Sequence, residues 1–148
     1  MPETLQNDVF LLRRLNPKQW DRKENKVLPA AFVLRDGEPG LSLFAEGRQT
    51  PRSLLQKLLN EQREKFHDQP QKLQNWLQSN GTTVEEMVSK NWRVARVSRT
   101  AFPPSTFSST QQEENGHLEM RGTSEDFEKY SSHIARQARL CSPKECTQ

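Results

Sequence analysis

At 148 residues the chain fits a single domain, 1–148. Only 32% of its residues are apolar and 28% are charged, with a mean hydropathy of -0.96; even with its 6 glycines added this lies below the about 45–50% apolar content, glycine counted, of ordinary globular domains and predicts a modest core under a large wet surface. No run approaches the ~18 apolar residues of a membrane-spanning helix, and a net charge of +3 marks a nucleic-acid binder only if the charge is concentrated.

The first element is a strand in "DVFLLRRL", ended by Asn16-Pro17. "WDRKENKV" reads as a charged loop with Trp20 turned back onto the core. "LPAAFVLRD" and "GLSLFAE" read as two strands of a hairpin, because Asp36, Gly37, Glu38, Pro39 and Gly40 supply the positive-φ and fixed-φ positions of a reversal. "TPRSLLQKLLNEQREKF" is a helix capped by Thr50 with Pro51 in its first turn, and Leu54, Leu55, Leu58, Leu59 and Phe66 share its apolar face. A second helix starts near Pro70, carries Leu73, Trp76 and Leu77 as its stripe, and stops at Asn80-Gly81.

Thr83 and Glu86 have the spacing of a capping box for a short helix with Val84, Met87 and Val88 facing inward. "WRVARVS" is a strand. The Pro/Ser/Thr/Gln-rich segment 102–116 reads as a flexible loop anchored by Phe102 and Phe107. "GHLEMRG" alternates, with Leu118 and Met120 inward and His117, Glu119 and Arg121 outward. A last helix begins at Thr123, with acids suited to the dipole of its first turn and Phe127, Tyr130, Ile134, Ala138 and Cys141 on one face, followed by a tail over 142–148. Helices stand between groups of strands, so the expected class is α+β: a small, mainly antiparallel sheet with helices packed on one face.

The start "MPETLQND" lacks the basic and apolar regions of a secretory signal, which points to the cytoplasm. Cys141 and Cys146 are then expected as reduced thiols. Two thiolates without further ligands make no zinc site, so no metal and no cofactor is expected.

The ordered set "LLRRLNP", "LPAAFVLRDGEPGLSLF", "TPRSLLQ", "NWRVARVS" and "GHLEMRG" resembles a group of short bacterial proteins of unassigned function. The resemblance runs from Val9 to Cys141 and implies a shared small domain in accessory members of bacterial multi-gene systems. It transfers no catalytic residue. The helical insert 61–81, "EQREKFHDQPQKLQNWLQSNG", departs from the compact versions and is a candidate partner site through Phe66, Leu73, Trp76 and Leu77.

Three clusters bear on chemistry. His117, Glu119 and Arg121 share a strand face, and an imidazole beside a carboxylate and a guanidinium is a set a small ribonuclease or toxin would use; the plainer use is a strand-edge His with solvated partners, and neither His67 nor His133 has a spacing that forces it toward His117. Lys90, Trp92, Arg93, Arg96 and Arg99 combine cations with an aromatic, as nucleic-acid binding requires, yet a strand sends Arg96 to the face opposite Arg93 and Arg99, and structural pairing is the competing use. Arg13 and Arg14 must lie on opposite faces of the first strand, so one points to a covered side and needs carboxylates or carbonyls; structural pairing is the expected use and lining a pocket the alternative. Glu85 and Glu86 belong to a helix start. Phosphate-loop, H-E-x-x-H and G-x-S-x-G motifs are missing. The leading expectation is an interaction or adaptor module without catalysis, accessory to a bacterial multi-protein system and acting on a protein partner; nucleic-acid binding through 90–99 and a nuclease using His117 are the alternatives.

Overall fold

The computed structural model describes residues 9–148. Strand β1 (Phe10–Leu15) is followed by a small ribbon, β2 (Trp20–Asp21) with β3 (Lys26–Val27), and by β4 (Leu41–Ala45). Helices α1 (Pro51–Lys65), α2 (Pro70–Asn80) and α3 (Val84–Ser89) come next. Then follow β5 (Arg93–Ser98), β6 (Ser108–Ser109), β7 (His117–Arg121), α4 (Ser124–Gln137), β8 (Arg139–Leu140) and α5 (Pro143–Thr147). Six strands form an antiparallel sheet in the order β6-β7-β4-β1-β5-β8. The class is α+β, as the pattern of elements predicts.

The helices cover both faces, whereas the sequence reading places them on one. Leu11 and Leu15 of β1, Ala95 and Val97 of β5, and Leu118 and Met120 of β7 meet Phe127 and Ile134 of α4 on one side. Leu12, Phe44 and Val94 meet Leu54, Leu55 and Leu59 of α1 and Met87 of α3 on the other. The signal lay in β1 itself: adjacent Leu11 and Leu12 are both fully buried, which only a strand covered on two sides requires.

The expected hairpin does not form. Pro29–Phe32 is a 3-10 turn, and β4 pairs with β1 and β7 instead. Pro29 has no N–H to give a ladder, and two alanines are weak strand formers. The reversal itself is present, with Glu38 N–H donating to the Arg35 carbonyl at 3.1 Å and Gly37 at φ +84°. The charged loop after β1 closes as the β2–β3 ribbon; Trp20 is buried and its indole N–H donates to the Asn91 carbonyl at 2.8 Å.

The caps follow the sequence closely. The Thr50 and Thr123 hydroxyls each accept from the backbone N–H three residues ahead, and their own backbone N–H groups donate to the side chains of Ser53 and Asp126. Thr83 accepts from Glu86 N–H, but the Glu86 carboxylate takes the Thr82 N–H, so that box is only half formed. Gly81 ends α2 at φ +112°, where a Cβ would stand 2.7 Å from the Met87 nitrogen. Phe102 and Phe107 are buried and tie down the segment 102–116, which contributes β6 to the sheet edge.

The C-terminal end differs most from its expected form. The last long helix stops at Gln137, the chain pairs with β5 as β8, and Cys141 N–H donates to Val94 O at 2.9 Å. Cys141 therefore joins the core on the α1 side, not the face of α4. The stretch read as a tail is α5, capped by Ser142, and it buries Cys146. Both cysteines are free thiols, and burial pushes the Cys141 thiol up to about 12.

Candidate functional site

On the α1 side the sheet is covered only in part. The pairing of β1 with β4 stops at Leu12↔Phe44, and beyond that point the strands part around a cleft of about 300 Å³ lined by Arg13, Arg14, Ser42, Phe44, Trp76 and Trp92 among others. Arg13 wedges the opening: its Nε donates to the Ala31 carbonyl at 2.6 Å and its Nη1 to the Ser42 carbonyl at 2.9 Å. The Ser42 carbonyl is one that a continuing β1–β4 ladder would have used, and the Ala31 carbonyl belongs to the 3-10 turn. Burial pulls its guanidinium down to about 10, opposed by Glu38, and it stays protonated at neutral pH. Arg14 lies 5.6 Å from the Phe44 ring centre, bonds the Leu54 carbonyl at 3.3 Å and approaches Glu61 at 3.6 Å. Arg35 and Glu38 complete the charged rim. Three arginines against Glu38 and the more distant Glu61 leave a small positive excess.

The far wall is aromatic. Trp76 of α2 and Trp92 lie 6.4 Å apart between ring centres, and the Trp92 indole N–H donates to the Asn80 side chain at 3.2 Å. The insert 61–81 and the basic segment, separate candidates in the sequence, thus supply adjoining walls of one cleft. Leu77 packs partly on the α1-side core, Leu73 is half-buried, and Phe66 sits at the C-terminal cap of α1 under Lys65. None of the side chains of α2 is fully buried.

His117 stands beside this cleft. Its Nε2 is 2.9 Å from the hydroxyl of Ser42, and its Nδ1 is bonded to the carboxylate of Glu113. The imidazole leans on Phe44, its directly paired residue on β4, at 5.1 Å. A tight turn aims Glu113: its N–H donates to the His117 carbonyl at 2.8 Å, and the Gly116 N–H donates back to Glu113 at 2.9 Å. Gly116 is required there, since φ is +89° and a Cβ would meet Arg48 Cβ at 2.6 Å. Glu119 and Arg121 share the outward face as predicted, but they pair with each other at 3.4 Å. His117 takes its partners from the loop before β7 and from the neighbouring strand β4, while Glu119 is engaged with Arg121.

The basic segment does not make one stripe. Arg93 is buried over Trp20 at 4.7 Å and donates to the Val88 and Trp92 carbonyls. Arg99 is buried and donates to the Phe102 carbonyl at 2.9 Å. Arg96 faces the other side, paired with Glu46 and over Phe10, while Lys90 reaches the Gln78 carbonyl at 2.8 Å. Among the described residues no group of three or more His, Cys, Asp or Glu is placed to hold a metal ion, and no helix is long and apolar enough to cross a membrane.

Sequence reasoning passed over Ser42 and Glu113. Ser42 is 75 residues from His117, and nothing local announces the pairing; Glu113, four residues before His117, was within reach of a loop-turn reading. No protein-family model, curated protein or solved structure matches this chain.

Proposed function

We propose that the chain is an interaction module whose cleft between β1 and β4 captures an anionic group set beside a flat apolar one, as an acidic segment of a protein partner presents. In this reading it acts as an accessory component through that partner. The observation that carries the reading is the convergence of Arg13, Arg14 and Arg35 with Trp76 and Trp92 around one opening. A guanidinium already partly stripped of water gains more from a carboxylate than an exposed one does, and burial lowers the pKa of both Arg13 and Arg14. The indoles add stacking area without a large loss of side-chain freedom.

The test is quenching of the intrinsic tryptophan fluorescence by the peptide Glu-Glu-Phe-Glu against Lys-Lys-Phe-Lys. The acidic peptide is expected to quench saturably, with affinity that falls as salt rises and drops about tenfold in Arg14→Ala. Equal response to the two peptides, or none to the acidic one, overturns the reading.

A further inference from the structure

One residue of the cleft wall, Ser42, also belongs to a reactive arrangement that a binding module does not need. Ser42, His117 and Glu113 are bonded in series: hydroxyl to Nε2 at 2.9 Å, then Nδ1 to carboxylate. This is a nucleophile held by a base, with the base oriented by an acid. The first two groups stand on paired strands of the sheet, which fixes their separation. Arg13 holds the Ser42 carbonyl, and Phe44 supports the imidazole face. Ser42 lines the same cleft as the arginines and indoles, so a molecule seated there meets the hydroxyl.

The geometry points to a hydrolase site for carboxylic esters that carry a negative charge on a flat apolar group. The inference rests on the cleft reading above and adds a reaction to it. Ser42 Oγ attacks the ester carbonyl and passes its proton to His117 Nε2. The guanidiniums around the cleft supply a positive field for the oxyanion. The tetrahedral adduct collapses, the ester C–O bond breaks, and the leaving alkoxide takes the proton from Nε2, leaving acyl-Ser42. Water then gives a proton to Nε2 and its oxygen to the acyl carbon. Collapse returns the proton to Ser42 Oγ and releases the carboxylic acid. Ser42 and His117 are catalytic residues in this scheme; Glu113 is a positioning residue, fixing the tautomer that leaves Nε2 free to accept.

The experiment uses the full chain with 4-acetoxybenzoate, reading release of 4-hydroxybenzoate, and phenyl acetate as the uncharged counterpart. Wild type is expected to prefer the charged ester by about tenfold or more, and Ser42→Ala and His117→Ala to lose about 10²-fold or more of the rate. Glu113→Gln is expected to lower the rate and displace the pH profile, a change that a purely structural carboxylate does not produce. An alkyl fluorophosphonate is expected to label wild type at Ser42 without any substitution, so the answer does not depend on a variant folding. If 4-hydroxybenzoate quenches tryptophan fluorescence but the ester is not turned over and Ser42 is not labelled, the relay is overturned and the cleft reading stands. If the product does not bind and no turnover occurs, both fail. Equal rates on the two esters overturn the charged-substrate class.

Discussion

The two faces of the sheet carry similar aromatic material and finish it differently. Against α4, Phe107 sits 5.9 Å from Phe102, 4.8 Å from Phe127 and 5.7 Å from Tyr130, and the three phenylalanines are fully buried. Against α1 and α2, Trp76, Trp92 and His117 are only half-buried, and arginines stand among them. On the α4 side the guanidiniums of Arg93 and Arg99 are spent on backbone carbonyls. On the α1 side the sheet is left unclosed between β1 and β4. The half-buried rings therefore stand beside charged groups on the α1 side, and the buried ones beside other rings on the α4 side.

The contrast breaks most visibly by truncating one ring on each face. Phe127→Ala is expected to cost about 3–5 kcal/mol, the range for a fully enclosed phenylalanine, read as a fall in the urea midpoint at unchanged slope. Trp76→Ala is expected to cost less than half of that, while abolishing the quenching by the acidic peptide. Equal losses of stability would mean that the α2 wall is core and that the cleft is a packing accident.

Arginines sharpen the comparison next. Arg13→Met leaves the Ala31 and Ser42 carbonyls without their donor, and about 1–3 kcal/mol is expected for orphaned groups of this kind. Arg14→Met removes a half-exposed pair at 3.6 Å and one long bond, for which about 1 kcal/mol or less is expected. Urea unfolding of the two variants measures the difference directly. The reverse order would show that Arg13 is not the wedge that keeps β1 and β4 apart.

The legible part of this molecule was whatever local physics decides. Thr50 and Thr123 announced their helices because a hydroxyl three residues before a free N–H is a local event. Leu118 and Met120 declared the inner face of β7 by alternation alone. The hairpin reading failed because a turn signal fixes a reversal without fixing what the flanking segments pair with; β4 found its partners in β1 and β7, far away in the sequence. The candidate site was legible by halves. His117, Trp76 and Trp92 stood out by residue type, but their company depends on sheet order, and Ser42, an ordinary residue between two leucines, became notable only when β7 was laid beside it. Arg93 and Arg99 stood out for a binding role, and the structure turns Arg93 onto the Val88 and Trp92 carbonyls and Arg99 onto the Phe102 carbonyl.

The cysteines test how tightly α5 closes its part of the α1 side. Burial raises the pKa of both thiols, so each is held protonated in the folded chain. The sign follows: this contribution to stability is complete below the ordinary thiol range and is lost as pH rises from about 9 toward 12. Labelling by a thiol reagent at pH 8 is expected to be at least about 10²-fold slower in the native chain than in urea. Rapid native labelling would place the α5 region among the easily opened parts of the structure.

Glu145 gives the smallest and opposite effect. The Arg139 guanidinium, bonded through both nitrogens at 2.9 and 3.0 Å, and the Ser142 N–H hold its carboxyl near about 2. A depressed carboxyl stabilises the fold above its ordinary range, and that stability is lost as pH falls from about 5 toward 2. The carboxyl keeps 35% of its side-chain surface in water and its partner Arg139 more than half, so screening keeps the effect within about 0.2–1 kcal/mol. Glu145→Gln is expected to flatten the acid limb of the stability–pH curve by that amount, and 1 M salt to flatten it in wild type by a similar amount. Because α5 contributes Cys146 to the core beneath it, a much larger loss in Glu145→Gln would mean that the Arg139–Glu145 pair, rather than the buried thiol, holds the C-terminal helix to the sheet.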